Sequence, residues 1–427
     1  MRIFKDFTTA KRVIRGMLDT RTSRRTVAQR LRESGPITPG SIKIAVYFAD
    51  DAVNLYQLRQ WYAPLAELAK TWPVAIIARN PSSTLKLWDE APVPTLYLRS
   101  VPSLEEFVAQ QDIHIVFYVN QNAKNFQMFR YGRMWHVFIN HGESDKMYMT
   151  TNQFKAYDYS FIAGDAARDR LARTLWNYDL DTRTMSIGRP QADHLAGPLP
   201  FTPDERTTVL YAPTWEGDRP AAAYGSIATH GVTLVEALLA TGRHRVLYRP
   251  HPRSGVLQPA YARANQAIIA AIARANAADP TAHHIYDDGP TLGWQLASAD
   301  VAITDISAMV YDRLATGRPI LVTRPDNALA EIDTAGYLSD AEWLASTDAG
   351  NIVDIVERVQ HSTEALEKLN WWVERYFGDT TPGSATERFH AAVSTLMSAW
   401  DAEAAAQSAS DPTGVFVPPI AQDPTAE

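Results

Sequence analysis

The chain has 427 residues, 46% of them hydrophobic and 21% charged, which predicts two or three domains with sizeable cores and excludes global disorder. It has no cysteine, so a disulfide scaffold, a thiolate-bound metal and a thiol nucleophile are excluded. Its formal net charge of −7 argues against general binding to nucleic acid.

The first 35 residues differ from the rest of the chain in charge. They carry ten Lys and Arg side chains against three acidic ones, a net +7, which leaves −14 for the remainder. Apolar side chains recur there at helical spacing, at Ile3, Phe4, Phe7, Ala10, Ile14, Met17 and Leu18. Such a basic amphipathic helix either lies on an anionic membrane surface or packs on the protein body with a solvated basic side.

No uncharged apolar run approaches the roughly 20 residues of a membrane span, and no secretory signal is recognised. We therefore predict a cytoplasmic protein, and the basic segment places it at the periphery of the inner face of the cell membrane.

From residue 36 onward, strand-like apolar runs alternate with helical patterns, which predicts βαβ units and parallel sheets. In the first half the predicted strands are Ile42–Phe48, Val74–Ala78, Thr95–Leu98, His114–Val119, Trp135–Ile139 and Tyr159–Ala163. After a passage rich in Pro and Gly they are Thr207–Tyr211, Arg245–Tyr248, His283–Tyr286, Val301–Thr304 and Ile320–Thr323.

Two doubly wound, Rossmann-like α/β domains are therefore predicted, over residues 36–200 and 201–400. Helices at Ile352–Leu369 and Ala385–Trp400 are expected to close the fold, and the acidic tail 401–427 is expected to be disordered. Two such domains face each other across a cleft at the carboxyl ends of their strands, where ligands bind.

Four short segments fall at predicted strand ends, and the first contains His141. This histidine follows an apolar strand and precedes Gly142, so its imidazole can face the cleft and act as a base near neutral pH. The alternative is a histidine in an ordinary surface loop.

The second and third segments open the second domain. Pro213 ends a strand and exposes the Thr214 hydroxyl, although the neighbouring Trp215 is also typical of a core aromatic. In the third segment Arg249 and Arg253 flank His251, which suggests a phosphate clamp because guanidinium groups match phosphate oxygens. The alternative is a rigid strand-to-helix turn whose arginines pair with surface carboxylates.

The fourth segment runs from a buried strand through Thr304 and Asp305 to a helix that begins at Ser307. The first N–H groups of a helix suit a diphosphate, and Asp312 in the second turn could accept ribose hydroxyls. The alternative is ordinary helix capping by Asp305 or Ser307.

Together these segments resemble the CDP-glycerol glycerophosphotransferase family, whose members build or prime poly(glycerol phosphate) teichoic acid chains. The resemblance extends over roughly residues 115–395, and the motifs occur in the family's order. Ile306 and Ala308 stand where the family has Tyr and Ser. The matching motifs are His141-Gly142 with Lys146, Gly188-Arg189-Pro190 with Asp193, Ala212–Trp215, His251–Arg253, Thr304–Ser307 with Asp312, and Phe377–Asp379 with Ser384 and Arg388.

The resemblance implies a GT-B-like fold and transfer of glycerol phosphate from CDP-glycerol to a hydroxyl of a lipid-linked or polymeric acceptor, with release of CMP. It implies His141 as the base, His251 as a second catalytic residue, and Gly142 and Lys146 on the acceptor side. The implied donor-binding residues are Thr214, Arg249, Arg253, Thr304, Asp305, Ser307, Ala308 and Asp312.

The implied partners are CDP-glycerol or a related CDP-alcohol, a lipid-linked acceptor and an anionic membrane surface. No Asp-x-Asp follows a candidate strand of the second domain, so we expect neither an obligatory metal nor a cofactor. Two alternatives stay open: another GT-B transferase that uses CDP-ribitol or a nucleotide sugar, and a non-catalytic binding protein with the same fold.

Overall fold

The computed structural model describes residues 21–33, 35, 37–143, 150–289, 292–332 and 334–410. Within these residues the chain forms two β-sheets whose paired strands are all parallel, each flanked by helices. The two-domain α/β architecture predicted from the sequence is therefore confirmed.

The first sheet has seven strands in the order β3-β2-β1-β4-β5-β6-β7. They are β1 (Ile44–Phe48), β2 (Val74–Ala78), β3 (Thr95–Tyr97), β4 (Ile115–Tyr118), β5 (Trp135–Phe138), β6 (Tyr159–Ile162) and β7 (Thr184–Ser186). The second sheet has six strands in the order β10-β9-β8-β11-β12-β13. They are β8 (Thr207–Ala212), β9 (His244–Tyr248), β10 (Ile285–Tyr286), β11 (Val301–Thr304), β12 (Ile320–Thr323) and β13 (Trp343–Leu344).

Helices connect these strands. Those of the first domain are α1 (21–33), α2 (Leu55–Arg59), α3 (Tyr62–Leu68), α4 (Pro81–Glu90), α5 (Val101–Gln110), α6 (Asp165–Thr174) and α7 (Leu180–Arg183). The later ones are α8 (Val232–Ala240), α9 (Pro259–Ala278), α10 (Trp294–Ser298), α11 (Ala308–Leu314), α12 (Ile352–His361), α13 (Thr363–Phe377) and α14 (Ser384–Ser410).

The central strands are apolar along their whole length because helices cover both faces of each sheet. All five residues of β1 and all five of β2 are buried. The strand order reverses between β1 and β4 in the first sheet and between β8 and β11 in the second. Loops diverge at such a reversal and leave a crevice at the carboxyl ends of the strands, which is where a ligand site is expected.

The last helix differs from the prediction. We assigned residues up to 400 to the second domain, but Phe389, Val393 and Leu396 of α14 are buried in the core of the first sheet. The Trp135 indole N–H also donates to the Leu396 carbonyl at 3.1 Å. The boundary at residue 400 is therefore wrong for this helix. Residues 401–410, which we expected to be disordered, continue the same helix.

The amino-terminal apolar positions 3–18 and residues 411–427 lie outside the described residues. In α1, Val27 is buried, and Arg30 forms an ion pair with Asp89 at 2.9 Å. Arg24 and Arg25 are exposed. Across the residues that the structure describes, no helix has the length and apolar character needed to cross a membrane.

Candidate active site

The loop after β5 presents His141 at the carboxyl end of the first sheet. The preceding Asn140 has a φ of 56°, a left-handed conformation that asparagine tolerates better than most residues. Its Oδ1 accepts a hydrogen bond from the His141 backbone N–H at 2.8 Å, and its Nδ2 donates to the Gly142 carbonyl at 2.7 Å. The Trp61 indole N–H donates to the Asn140 carbonyl at 2.5 Å. These bonds fix the turn and hold His141 and Gly142 in place.

The imidazole of His141 is oriented for proton acceptance. Its Nδ1 lies 2.8 Å from the Val119 carbonyl, which can only accept, so in the neutral ring Nδ1 carries the proton and Nε2 has a lone pair. Burial lowers the pKa of His141, the bond to Val119 opposes this in part, and the Arg189 charge lowers it further. The ring is therefore neutral near pH 7, as a general base must be.

Arg189 lies between the His141 loop and the second domain. Its Nη2 forms an ion pair with Asp312 of α11 at 2.5 Å and donates to the Gln60 side chain at 3.2 Å. Its Nη1 faces Gly142, since a Cβ at that glycine would lie 3.9 Å away. Burial raises the pKa of Asp312, and Arg189 opposes the shift. Asp312, which we predicted at the ribose, is thus engaged by an arginine from the other side of the cleft.

A small cavity of about 50 Å³ lies beside the His141 loop. The ends of β5 and β6 and the Phe377 ring form its apolar walls, and Glu143, Arg170 and Arg189 supply charged groups. Glu143 is buried and forms an ion pair with Arg170. Lys146, which we predicted on the acceptor side, lies outside the described residues.

Asp305 is a buried support of the second-domain site. Its Oδ2 accepts from the backbone N–H groups of Thr214 at 2.7 Å and Ser226 at 3.1 Å, and its Oδ1 accepts from the Thr323 hydroxyl at 2.5 Å. Burial raises the pKa of Asp305 to about 6. Asp305 and Thr304 both have no exposed surface, so the prediction that they contact the donor is wrong in this structure. Asp305 instead positions Thr214.

The His251 loop lies beside the Thr214 loop. The His251 backbone N–H donates to the Pro213 carbonyl at 3.1 Å, and its Nδ1 accepts from the Arg253 backbone N–H at 3.1 Å. In the neutral ring the proton is therefore on Nε2, which can donate to an anion. Burial and the Arg253 charge lower the pKa of His251. The exposed Arg253 guanidinium lies 3.7 Å from the centroid of the Trp215 ring, a cation–π contact.

Arg249 does not serve as the second half of a phosphate clamp. Its Nη1 forms an ion pair with Asp287, and its Nη2 donates to the Gly289 carbonyl at 2.9 Å. Both groups are mostly buried, so both Nη atoms of this guanidinium are engaged within the protein. Arg249 is thus paired with a carboxylate, although a buried one rather than the surface carboxylate of the alternative, whereas Arg253 is exposed.

Glu216 is a residue that sequence reasoning missed. Its carboxylate is almost fully buried and accepts from three backbone N–H groups, those of Gly255, Leu257 and Gln258, at 2.8–3.0 Å. Burial alone would raise the pKa of Glu216, but these N–H groups bring it below its usual range. The sequence feature that could have indicated Glu216 is its position as an acidic residue directly after Trp215, near a strand end. Glu216 holds the loop that carries Arg253.

Ser307 and Ala308 lie where the sequence placed them, at the start of α11. Ser307 caps this helix by accepting from the Met309 backbone N–H at 3.3 Å, and its hydroxyl donates to the Asp305 carbonyl at 3.2 Å. Ala308 is exposed at the first helical position. The structure therefore brings Thr214, His251 and Ser307 to the carboxyl end of one sheet. In the described part of the chain, no three His, Asp or Glu side chains are grouped to hold a metal ion.

The sequence profile of one family, described as CDP-glycerol:poly(glycerophosphate) glycerophosphotransferase, matches residues 139–394. The chain belongs to this family. It is accordingly an enzyme of the CDP-glycerol glycerophosphotransferase type, as the motifs predicted. The match includes the His141 loop and all three second-domain segments. No curated protein matches the sequence.

Solved structures with the same fold include the wall teichoic acid polymerase TagF, with a TM-score of 0.53 at 14% identity over 85% of this chain and 90% of that chain. A TagF variant soaked with CDPG matches with a TM-score of 0.53 at 13% identity, over 84% and 89%. A putative UDP-N-acetylglucosamine 2-epimerase from Listeria monocytogenes matches with a TM-score of 0.55 at 14% identity, over 84% and 97%. These similarities confirm the GT-B-like fold.

Proposed function

We propose that this enzyme transfers glycerol phosphate from CDP-glycerol to a hydroxyl of a lipid-linked or polymeric acceptor and releases CMP, in the synthesis of a teichoic-acid-like envelope polymer. The observation that carries the proposal is His141. Its Nδ1 proton is fixed by the Val119 carbonyl, its Nε2 can accept a proton, and the Arg189–Asp312 pair beside its loop connects the two domains.

In the reaction, the acceptor hydroxyl attacks the β-phosphorus of CDP-glycerol and gives its proton to Nε2 of His141. A new bond forms between the acceptor oxygen and phosphorus. The bond from phosphorus to the bridging oxygen breaks, and CMP leaves with that oxygen and its electron pair. The enzyme must hold the two substrates in line and stabilise the charge on the phosphoryl oxygens, and the cleft between two domains suits this task.

The second domain supplies the donor site of this proposal. His251 can donate from Nε2, Arg253 offers an exposed guanidinium, and Thr214, Ser307 and Ala308 line the adjacent strand ends. Asp305 and Glu216 are buried and support this site, since Asp305 fixes the Thr214 loop and Glu216 fixes the loop that carries Arg253. TagF has been soaked with CDPG, which supports a CDP-alcohol as the donor here.

An acceptor carried on a lipid would bring the enzyme to the membrane surface. Exposed Arg21, Arg24 and Arg25 on α1 continue the positive charge of the amino-terminal segment. Their attraction to an anionic leaflet is worth about 1 kcal/mol for each nearby cation. We propose that this segment holds the enzyme at the inner face of the membrane.

The test is CMP release from CDP-glycerol, CDP-ribitol and UDP-sugars in the presence of a glycerol-phosphate-terminated acceptor. We expect CDP-glycerol to be the best donor. His141→Asn is the matched control, because asparagine can still donate to the Val119 carbonyl but cannot act as a base. Preference for a UDP-sugar, or equal product formation by the control, would contradict the proposal.

A further inference from the structure

The charge available in the donor site is smaller than the sequence suggested. Cleavage of a diphosphate builds up negative charge that cations or N–H donors must stabilise. Both Nη atoms of Arg249 are engaged, one by Asp287 and the other by the Gly289 carbonyl, and the Arg253 guanidinium lies against the Trp215 ring. A further donor of hydrogen bonds to the phosphoryl oxygens would therefore assist the transfer step.

Arg189 lies where such a donor is needed. It follows β7 and Gly188 on the first-domain side, and its Nη1 faces Gly142 next to the predicted base. Its Nη2 reaches Asp312 on the second-domain helix that begins after Ser307. Only 11% of the Arg189 side chain is exposed, so the guanidinium acts in a largely water-excluded space.

We propose that Arg189 is a further catalytic residue, which donates hydrogen bonds from its Nη1 side to the phosphoryl group in transit between the donor and the acceptor and so stabilises the charge that develops in the transition state. This inference rests on the proposed function. Asp312 and Gln60 hold Nη2 and so fix the plane of the guanidinium, while the Nη1 side faces the substrates. Gly142 leaves the space on that side free of a side chain.

Asp312 then has a positioning role. A planar guanidinium can hold a carboxylate with one edge and a phosphate with another, which an ammonium group on a flexible stem does not reproduce. Substitution of Arg189 should therefore affect the chemical step. Substitution of Asp312 should affect the orientation of Arg189 and act more weakly.

The experiment compares Arg189→Gln, Arg189→Lys and Asp312→Asn in the full-length protein. Arg375→Gln is the matched control, because it breaks another Arg–Asp pair, with Asp169, between α13 and α6. We measure kcat for CMP release, CMP affinity by calorimetry, and thermal unfolding. Loss of one transition-state donor costs about 10²–10³ in kcat, so we expect that fall for Arg189→Gln with CMP affinity within about twofold of wild type.

Arg189→Lys should keep part of the rate, because lysine keeps the positive charge but not the planar guanidinium with its paired N–H donors. Asp312→Asn should lose less than Arg189→Gln, and Arg375→Gln should stay near wild type. Equal losses in Arg189→Gln and Asp312→Asn would show that the pair is only a structural tie and overturn the inference. A kcat of Arg189→Gln within about threefold of the wild-type value would also overturn the inference. If the unaltered protein released no CMP from any CDP-alcohol, the proposed function itself would fail, and the role of Arg189 with it.

Discussion

Asp305 offers a quantitative test of how the donor side is built. Its carboxylate accepts from the Thr214 and Ser226 backbone N–H groups and from the Thr323 hydroxyl, and no surface of the residue is exposed. Asp305→Ala leaves three donors without an acceptor, each at about 1–3 kcal/mol. Because such losses are not additive, we expect the free energy of unfolding to fall by roughly 3–6 kcal/mol.

Asp305→Asn should be far milder at pH 7. Its amide oxygen can accept from both backbone N–H groups, and its NH₂ group can donate to the Thr323 hydroxyl, which can rotate to accept. The substitution also removes a buried negative charge. We expect a change of about 1 kcal/mol or less in the free energy of unfolding, the size of one ordinary hydrogen bond.

Wild type and Asp305→Asn should differ in how the free energy of unfolding depends on pH. Burial raises the pKa of Asp305 from 3.8 to about 6, so ionisation costs more in the folded state than in the unfolded chain. The unfolding free energy of the wild type should therefore fall as pH rises between these two values, by about 3 kcal/mol in total at 1.36 kcal/mol per pKa unit. Asparagine does not titrate, so this part of the pH dependence should be absent in Asp305→Asn.

The assay is urea denaturation followed by tryptophan fluorescence, at several pH values from 4 to 7.5, for both variants and wild type. Between pH 4 and 7 the stability of Asp305→Asn relative to wild type should rise by about 3 kcal/mol. If the free energies of unfolding of Asp305→Asn and wild type changed with pH in parallel, the raised pKa of Asp305 would be refuted. Equal destabilisation by Ala and Asn would refute the argument from three hydrogen-bond donors.

Two further predictions concern the base and the amino-terminal segment. Since burial lowers the pKa of His141, the midpoint of the decline of kcat/KM at acid pH should lie below the ordinary histidine value of about 6.5, and His141→Asn should lower kcat by about 10²–10⁴ with CMP affinity unchanged. A midpoint above about pH 7 would contradict this assignment. Deletion of residues 1–20 keeps Val27 and the exposed arginines of α1, and it should weaken sedimentation with anionic liposomes while activity on a soluble acceptor persists. If the deletion left liposome binding unchanged, the membrane role would be contradicted. It would also be contradicted if binding did not weaken as added salt shortens the Debye length from about 10 to about 3 Å.

The alternation of strands and helices could be predicted because it depends on local patterns. Buried parallel strands are continuous apolar runs, and the turns that follow them contain the polar residues of the site. His141, Thr214, His251 and Ser307 were predicted as candidate site residues in this way, since each follows a strand end.

Pairings between distant residues could not be predicted from such patterns. The sequence around Arg249 shows a cation beside a histidine, but whether Asp287 neutralises it depends on how β9 and β10 lie side by side. Asp305 follows a strand end, as a donor-binding residue would, but its side chain faces inward and is fully buried. Helical periodicity predicted α14 but not the sheet on which it packs, because periodicity marks an apolar face and does not identify its partner.

The return of α14 to the first domain has a mechanical consequence. The chain crosses between the domains twice, after β7 and again between α13 and α14. The two crossings are bound to each other, because the Asp193 carboxylate accepts from the Thr386 backbone N–H at 2.7 Å and from its hydroxyl at 2.8 Å.

Two tied connections act as a hinge with a defined axis, whereas a single linker would let the domains swing and twist freely. Gly378 and Gly383, both with positive φ, flank the second crossing and can absorb the change in backbone angles. Rotation about this hinge would widen the cleft at its mouth and move Arg189 away from Asp312 while Asp193 and Thr386 stay together. Such a rotation would open a path for the substrates and keep the two domains aligned on each closure.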